Sequence, residues 1–400
     1  MYARGGALQA CGTACASLAC GAIETHQPRT SRMPFPVFTV PLYFDADPGG
    51  ASDPERLRQG ISAVERTGDY LWVACDETPT LERLRLRPDG SFGAHRTYAL
   101  ADLIDLPADG EVDVEGLAYA APYLWVVGSN SRKRSKAKDG EDDAEAIARL
   151  AKVETDASRY FLARIPLAQD PDGGGLVPVR SCPDPGNPEA ELTAARLRGK
   201  GSKGGIFREL QEDAHLGPFM RIPGKDNGFD VEGLAVLGDR IFVGLRGPVL
   251  RGWAIILELE PAPDRKRPDR LRLRKIGDGG ERYRKHFLDL EGMGIRDIRR
   301  DGDDLLVLAG ATMDLSAPST LWRWPGGAKA ERSSLVRGHE LHPALQLPHD
   351  RARHDDHPEA VALFPGGARA SVMVLYDAVS DGRLVPGGVL ADVFELDEGA

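Results

Sequence analysis

One pentapeptide recurs along the chain. Asp113-Val114-Glu115-Gly116-Leu117, Asp230-Val231-Glu232-Gly233-Leu234 and Asp289-Leu290-Glu291-Gly292-Met293 are copies of it, and His357-Pro358-Glu359-Ala360-Val361 is a weaker fourth. Each is followed by a short apolar stretch, a turn and a second apolar stretch, as in residues 234–237, Gly238-Asp239 and residues 240–245. The same frame stands without its acid at Gln59-Gly60-Ile61, ahead of Gly68-Asp69 and Tyr70-Leu71-Trp72-Val73-Ala74. Gly-Asp turns recur at 68–69, 238–239 and 302–303. Glycine at the first central position of a two-residue loop is what a type II′ hairpin requires. Unrelated small domains in tandem would not repeat their turn chemistry in this way.

The units start near residues 60, 116, 233, 292 and 360, at intervals of about 56, 117, 59 and 68 residues. Three of these suit one four-stranded blade of a β-propeller with loop insertions, blades running to ~40–50 residues. The long interval reads as insertion. A basic run at 132–138 passes into an acidic one at 139–145 and then a helical pattern, giving a helical insertion over about 138–156. A second helical insertion is expected over about 188–215, in the segments 188–192 and 206–215, with 160–167 and 219–222 as strands that complete a blade. The expected fold is therefore all-β, a five-bladed propeller with six blades as the alternative. Strands at 37–44 and 389–396 would close the ring by sharing the last blade, since closure removes open sheet edges.

Composition agrees with a turn-rich globular chain: 400 residues, 28% charged, 42% hydrophobic, with 46 Gly and 29 Pro. A net charge of −10 argues against general binding to nucleic acid or anionic membrane, because phosphate neutralisation needs a basic face. Residues 33–400 hold no run of 18 uncharged apolar residues, so no helical span is expected there. Residues 1–32 stand apart. They are rich in Gly, Ala, Ser and Thr, carry Cys11, Cys15 and Cys20, and are too weakly apolar for a signal h-region. They read as a disordered leader or an over-extended start, with Met33 as the true start of a single domain over 33–400. Cys75 and Cys182 then remain, which fits a reducing, cytoplasmic setting; export is the alternative if the leader is a signal.

Longer matches bring in a family. Asp113-Val114-Glu115-Gly116-Leu117 with the segment 124–131 (LWVVGSNS), and 227–234 (NGFDVEGL), resemble the bacterial proteins catalogued as domain of unknown function 3616. Residues 244–253 (GLRGPVLRGW), 286–290 (HFLDL), 310–314 (GATMD) and 389–394 (VLADVF) extend the resemblance over about 36–397. The resemblance implies a propeller-like fold and no established activity. The acid-Gly repeats are also similar, more loosely, to those of phytase-like esterase propellers.

In a propeller the residues just before strand one and just after strand two of each blade meet at one mouth of the central channel. Glu115, Glu232, Glu291 and Glu359 should converge there. Asp76, Glu77, Ser129, Asn130, Arg246, Thr312, Asp314 and Asp377 should join them. Facing carboxylates repel, which raises pKa values or calls for a cation. Ca²⁺ suits the set, with Glu115, Glu232 and Glu291 as expected ligands. The competing expectation is structural: each Glu accepts from backbone N–H groups of the neighbouring blade. Arg246 and Arg251 could hold a small anionic ligand or pair with the ring acids. His286 is the nearest base by sequence, though a lone His beside a strand is more often structural.

Five of nine histidines, His339, His342, His349, His354 and His357, form a second cluster without the spacing of a zincin helix. Residues 199–205 (GKGSKGG) lack phosphate-loop spacing, no Gly-x-Ser-x-Gly elbow occurs, and neither Cys75 nor Cys182 has a recognisable partner His. The expected function is ligand or protein-partner binding at the channel mouth, the alternative a cation-dependent hydrolase of phosphate or carboxylic esters.

Overall fold

The Gly-Asp loops close antiparallel hairpins in which Thr67 faces Tyr70, Leu237 faces Arg240 and Asp301 faces Asp304. Gly68, Gly238 and Gly302 take φ of 60°, 60° and 62°, a conformation that only glycine adopts without strain and that a II′ loop demands at this position. The computed structural model describes residues 35–45, 53–108, 112–171, 174–199, 204–313, 317–348, 356–365 and 369–397. The readings made above for residues 1–32, Asp314, His349 and His354 lie outside them.

The chain is all-β and propeller-like, built of antiparallel meanders. The strands Ile61–Thr67, Tyr70–Cys75, Thr80–Leu86 and Phe92–Ala99 pair in sequence. Val114–Ala120, Tyr123–Gly128, Leu162–Gln169 and Ala195–Leu197 form the next meander. Asp230–Leu237, Arg240–Leu250, Trp253–Leu259 and Arg284–Asp289 follow, then Gly294–Asp301, Asp304–Gly310, Thr320–Trp324 and His342–Gln346. The last meander runs His357–Leu363, Ser371–Asp377, Gly388–Glu395 and finally Phe38–Tyr43. The N-terminal strand thus pairs with the C-terminal one, Phe38 opposite Val393 through Tyr43 opposite Gly388, as the ends of the sequence predict.

The first strands of these meanders surround one side chain, Arg299. Its Nη1 donates to the carbonyls of Leu117 (3.0 Å), Leu234 (3.1 Å) and Ile298 (2.9 Å). Nε donates to Val361 O and Nη2 to Val64 O. A first strand has no neighbour on its axial edge, so its carbonyls are left over in the interior, where an unpaired one is costly. The planar guanidinium carries five N–H donors and satisfies them together. Asp297 balances it at 2.9 Å and also accepts the Val361 N–H at 2.8 Å. Neighbouring first strands pack closely because the motif glycines have no Cβ. One on Gly233 (φ +86°) would stand 2.7 Å from Asp297 Cα, and one on Gly116 would stand 2.8 Å from Leu234 Cβ.

The insertions differ in part from expectation. A helix at Asp143–Leu150, capped by Asp142 accepting from Glu145 N, lies in the first. In the second, 188–192 is not helix but part of the strand Asn187–Thr193, which folds back on Ser181–Asp184. The Pro185-Gly186 turn brings these segments together, and ladder pairing overrides the helical preference of Glu-Ala-Glu-Leu. Among the described residues of this insertion only Gly205–Leu210 is α-helical, and Gly217–Phe219 is a 3₁₀ turn where a strand over 219–222 was expected. The N–H groups of Phe219, Met220 and Ile222 donate to the carbonyls of Leu216, Gly217 and Phe219, so local turns take the donors a ladder would need. No described helix is long and apolar enough to cross a membrane.

Arg299→Leu should cost about 3–5 kcal/mol or more in denaturant unfolding, because Asp297 and several carbonyls lose their partner together. Glu65 and Asp297 are both pushed up to about 7, burial outweighing the attraction of Arg299. A carboxyl with a raised folded pKa takes up its proton first in the folded state. Its contribution is therefore full below about pH 4 and is lost as pH rises through about 7. Between pH 5 and 8, Glu65→Gln should gain stability relative to the parent chain; parallel pH profiles would contradict this.

Candidate functional site

The mouth of the ring is built from one repeated irregularity. Each first strand bulges near its start, with the register shifting between Ile61 and Ala63, Val114 and Gly116, Val231 and Leu234, Ile295 and Asp297, and Pro358 and Ala360. The bulged residues are Ser62, Glu115, Glu232, Arg296 and Glu359. A bulge re-aims a side chain away from the ladder, here towards the mouth.

Glu291 is therefore not a member of this set. The pentapeptide that contains it ends the strand Arg284–Asp289 and forms the turn before Gly294, with Glu291 exposed at φ 58°. Its geometric counterpart is Arg296, which sequence reading missed. The signal was present: Ser62, Glu115, Glu232 and Arg296 each stand six residues before the first residue of a two-residue hairpin loop. Counting back from the turns, not matching Glu-Gly, finds the site.

On one side the charges pair. Arg246 reaches Asp230 through Nη2 and Glu232 through Nη1 (2.8 Å). Arg296 lies 3.1 Å from Glu232, donates to Glu359 Oε2 at 2.7 Å and meets Oε1 through Nη2. Burial works against the charge on Arg246, but Asp230 and Glu232 outweigh it and hold the guanidinium above its usual range. Glu232 is itself raised by burial, against the pull of Arg246 and Arg296. The expected stitching of blades by Glu onto backbone N–H groups is thus made instead by ion pairs. Only Ser62 bonds backbone directly, donating to Val114 O at 2.6 Å.

On the other side acids accumulate. Oxygens of Asp76, Asp113 and Glu115 all lie within 4.8 Å of one another. Asp113 has a cation, accepting from Arg159 Nε at 2.7 Å, and Arg159 also donates to Ser129 Oγ at 3.1 Å. Asp76 is pushed up to about 7, chiefly by burial and then by Asp113 and Asp377. Burial, followed by the charges of Asp113, Glu232, Asp76 and Asp230, holds Glu115 well above the usual carboxylate range. Such a set accepts a proton or a cation and resists holding three negative charges.

The remaining predicted residues are placed as follows. Asn130 is buried at φ 52° and donates to Gly128 O at 2.7 Å, so it turns the chain at the strand end. Asp377 accepts from Ala378 N at 2.7 Å and adds negative field at Asp76 and Cys75. Glu77 pairs with Arg56 at 3.6 Å. Arg251 is exposed in the hairpin between Leu250 and Trp253. His286 is buried, 3.1 Å from Glu258 and with its ring 5.2 Å from that of Trp324 at a 59° tilt, a core residue and not a base at the mouth. Burial pushes the Cys75 thiol up, against a role as nucleophile. Of the described histidines in the second cluster, His342 stands on the outermost strand of its sheet and His357 on the first strand of the next.

Arg296→Met should destabilise the fold by about 3–5 kcal/mol, since Glu359 would lose its arginine and face Glu232, which would keep only Arg246. Adding Glu359→Gln should recover part of the loss in denaturant unfolding; simple additivity of the two changes would contradict the pairing.

Comparison with known proteins follows from this geometry. No curated protein matches the chain. Among solved structures, the allergen Mala s 1 of Malassezia sympodialis is similar at 11% identity and a TM-score of 0.40, covering 90% of this chain and 96% of that one. Glutaminyl cyclase of Myxococcus xanthus aligns at 9% identity and a TM-score of 0.38, over 92% of this chain and 98% of its own. The PQQ-bound aldose sugar dehydrogenase of Streptomyces coelicolor gives 13% identity and 0.36, over 91% and 100%. Similarity this remote transfers no activity. The family model described as protein of unknown function DUF3616 matches residues 60–392, and the chain belongs to that family.

Proposed function

We propose that this protein is a five-bladed propeller whose channel mouth binds a divalent cation through Asp76, Asp113 and Glu115, and through it a small ligand bearing oxygen donors. The blade number is supported by the partners of Arg299, whose carbonyls come from the first strands of five successive meanders. The cation reading rests on one observation, the approach of three carboxylate oxygens to within 4.8 Å at a place where Arg246 and Arg296 are already committed to other acids. Relative to the ligand set expected from sequence, Glu115 stays, Glu232 is engaged by two arginines, and Glu291 is in a turn. Hard oxygen donors favour Ca²⁺, which takes six to eight ligands, over softer metals.

A cation held by these three carboxylates would supply Lewis-acid chemistry for a phosphate or carboxylic ester and for water, which favours hydrolysis as the second reading. Binding remains the primary reading: Cys75, whose Sγ lies 3.8 Å from Asp76 Oδ1, is held as a neutral thiol by burial and does not serve as a nucleophile.

Thermal unfolding with Ca²⁺ and with Mg²⁺ tests the site. Ca²⁺ at about 100 times its Kd should stabilise the protein by about 2.7 kcal/mol. The gain should vanish in Asp76→Asn and in Glu115→Gln, while both variants stay folded. An absence of any shift at millimolar Ca²⁺ would sink the cation reading. Release of p-nitrophenol from its phosphate or acetate ester, dependent on the same cation and residues, would turn the binding site into a hydrolase.

A further inference from the structure

A cavity of about 610 Å³ lies away from the carboxylate group, lined by Arg132, Phe207, Gln211, Glu212, Gly217, Pro218, Met220 and Arg221. This is within the range of sites for small molecules. Its frame is rigid. Arg132 leaves the strand end just after Asn130, and its carbonyl accepts from Gly224 N at 3.0 Å, which ties it to the segment just past the second insertion. The Phe207 ring is fixed by edge contacts to Tyr160 (5.2 Å) and Phe229 (6.1 Å). With Met220, also buried, it belongs to the core beneath.

The two guanidinium groups differ from those at the channel mouth, where every arginine is matched to an acid. Among the described residues no carboxylate pairs with Arg132 or Arg221, and Arg132 Nε is buried without a hydrogen-bond partner. An uncommitted cation thus stands beside an opening whose floor is the buried Phe207 and Met220 and whose rim carries the exposed Pro218 ring. A guanidinium binds a carboxylate through two parallel hydrogen bonds, and the exposed Pro218 ring next to it suits a small hydrocarbon body. Glu212 in the same lining brings the local charge to one positive unit, which matches a monoanion and disfavours a dianion.

We propose that this cavity is a binding site for a small monocarboxylate with an apolar body, its carboxylate held by Arg132 and Arg221 and its body laid on the exposed Pro218 ring. The proposal does not depend on the cation reading of the mouth. Calorimetric titration of the full chain with benzoate tests it, with inorganic phosphate as the anion lacking an apolar body. Saturable benzoate binding is expected, weakened about tenfold or more in Arg132→Gln and by a smaller factor in Arg221→Gln. Arg132→Lys should fall between the parent and Arg132→Gln. Asp76→Asn and Glu115→Gln should leave it unchanged, which separates this site from the mouth. Arg221 is exposed, so its variant reads the site even where Arg132→Gln fails to fold. No saturable benzoate binding at millimolar concentration would overturn the proposal. So would equal affinity in the Arg132→Gln Arg221→Gln double variant, phosphate binding as tight as benzoate, or loss of binding in the mouth variants.

Discussion

Closing strands around an axis creates a debt of unpaired carbonyls, and Arg299 meets it. The first strand of each meander bonds its second strand on one edge only; the other edge faces the axis. Water could solvate those carbonyls in a wide channel. Here the strands approach so closely that one guanidinium, with Asp297 as its counter-charge, serves carbonyls from all of them. The approach in turn requires the absence of a Cβ at Gly116 and Gly233. Axle and glycines are one device: neither is useful without the other.

The mouth inherits its chemistry from the same strands. Once they are held at this spacing, their bulged residues face one another, and Ser62, Glu115, Glu232, Arg296 and Glu359 must resolve their charges within a small space. Arg296 between Glu232 and Glu359, with Arg246 on Asp230 and Glu232, neutralises one arc. The opposite arc has Asp76, Asp113 and Glu115, with Arg159 paired to Asp113. A propeller needs its arcs stitched, and the first arc does that. The second carries more acid than stitching requires, and the proposed cation site rests on that imbalance, not on the repetition of Glu.

The insertions elaborate the same end of the chain's second and third meanders. Arg134, just ahead of the first insertion, pairs with Asp226, just past the second, at 2.7 Å. Insertions of this kind are where a repetitive scaffold acquires individuality, because loops can change without disturbing the ladders.

Much of the architecture could be read from residues alone. Repeated Gly-Asp loops are local chemistry, and a II′ turn demands glycine whatever its surroundings, so the hairpins, the long insertion and the closure by residues 37–44 on 389–396 were legible. The ring acids Glu115, Glu232 and Glu359 were legible too, from their places ahead of first strands. Glu291 was misread because its pentapeptide mimics the others while its strand begins later; a motif match does not carry register, whereas the distance to the hairpin does. The strand at Asn187–Thr193 was misread because pairing with a distant segment overrode local propensity. Arg299, Arg296 and the trio of Asp76, Asp113 and Glu115 belong to no local pattern at all. Their roles arise when strands far apart in sequence meet at one axis, so that which acid finds an arginine and which crowds against other acids is decided only in the tertiary structure, by distance and burial.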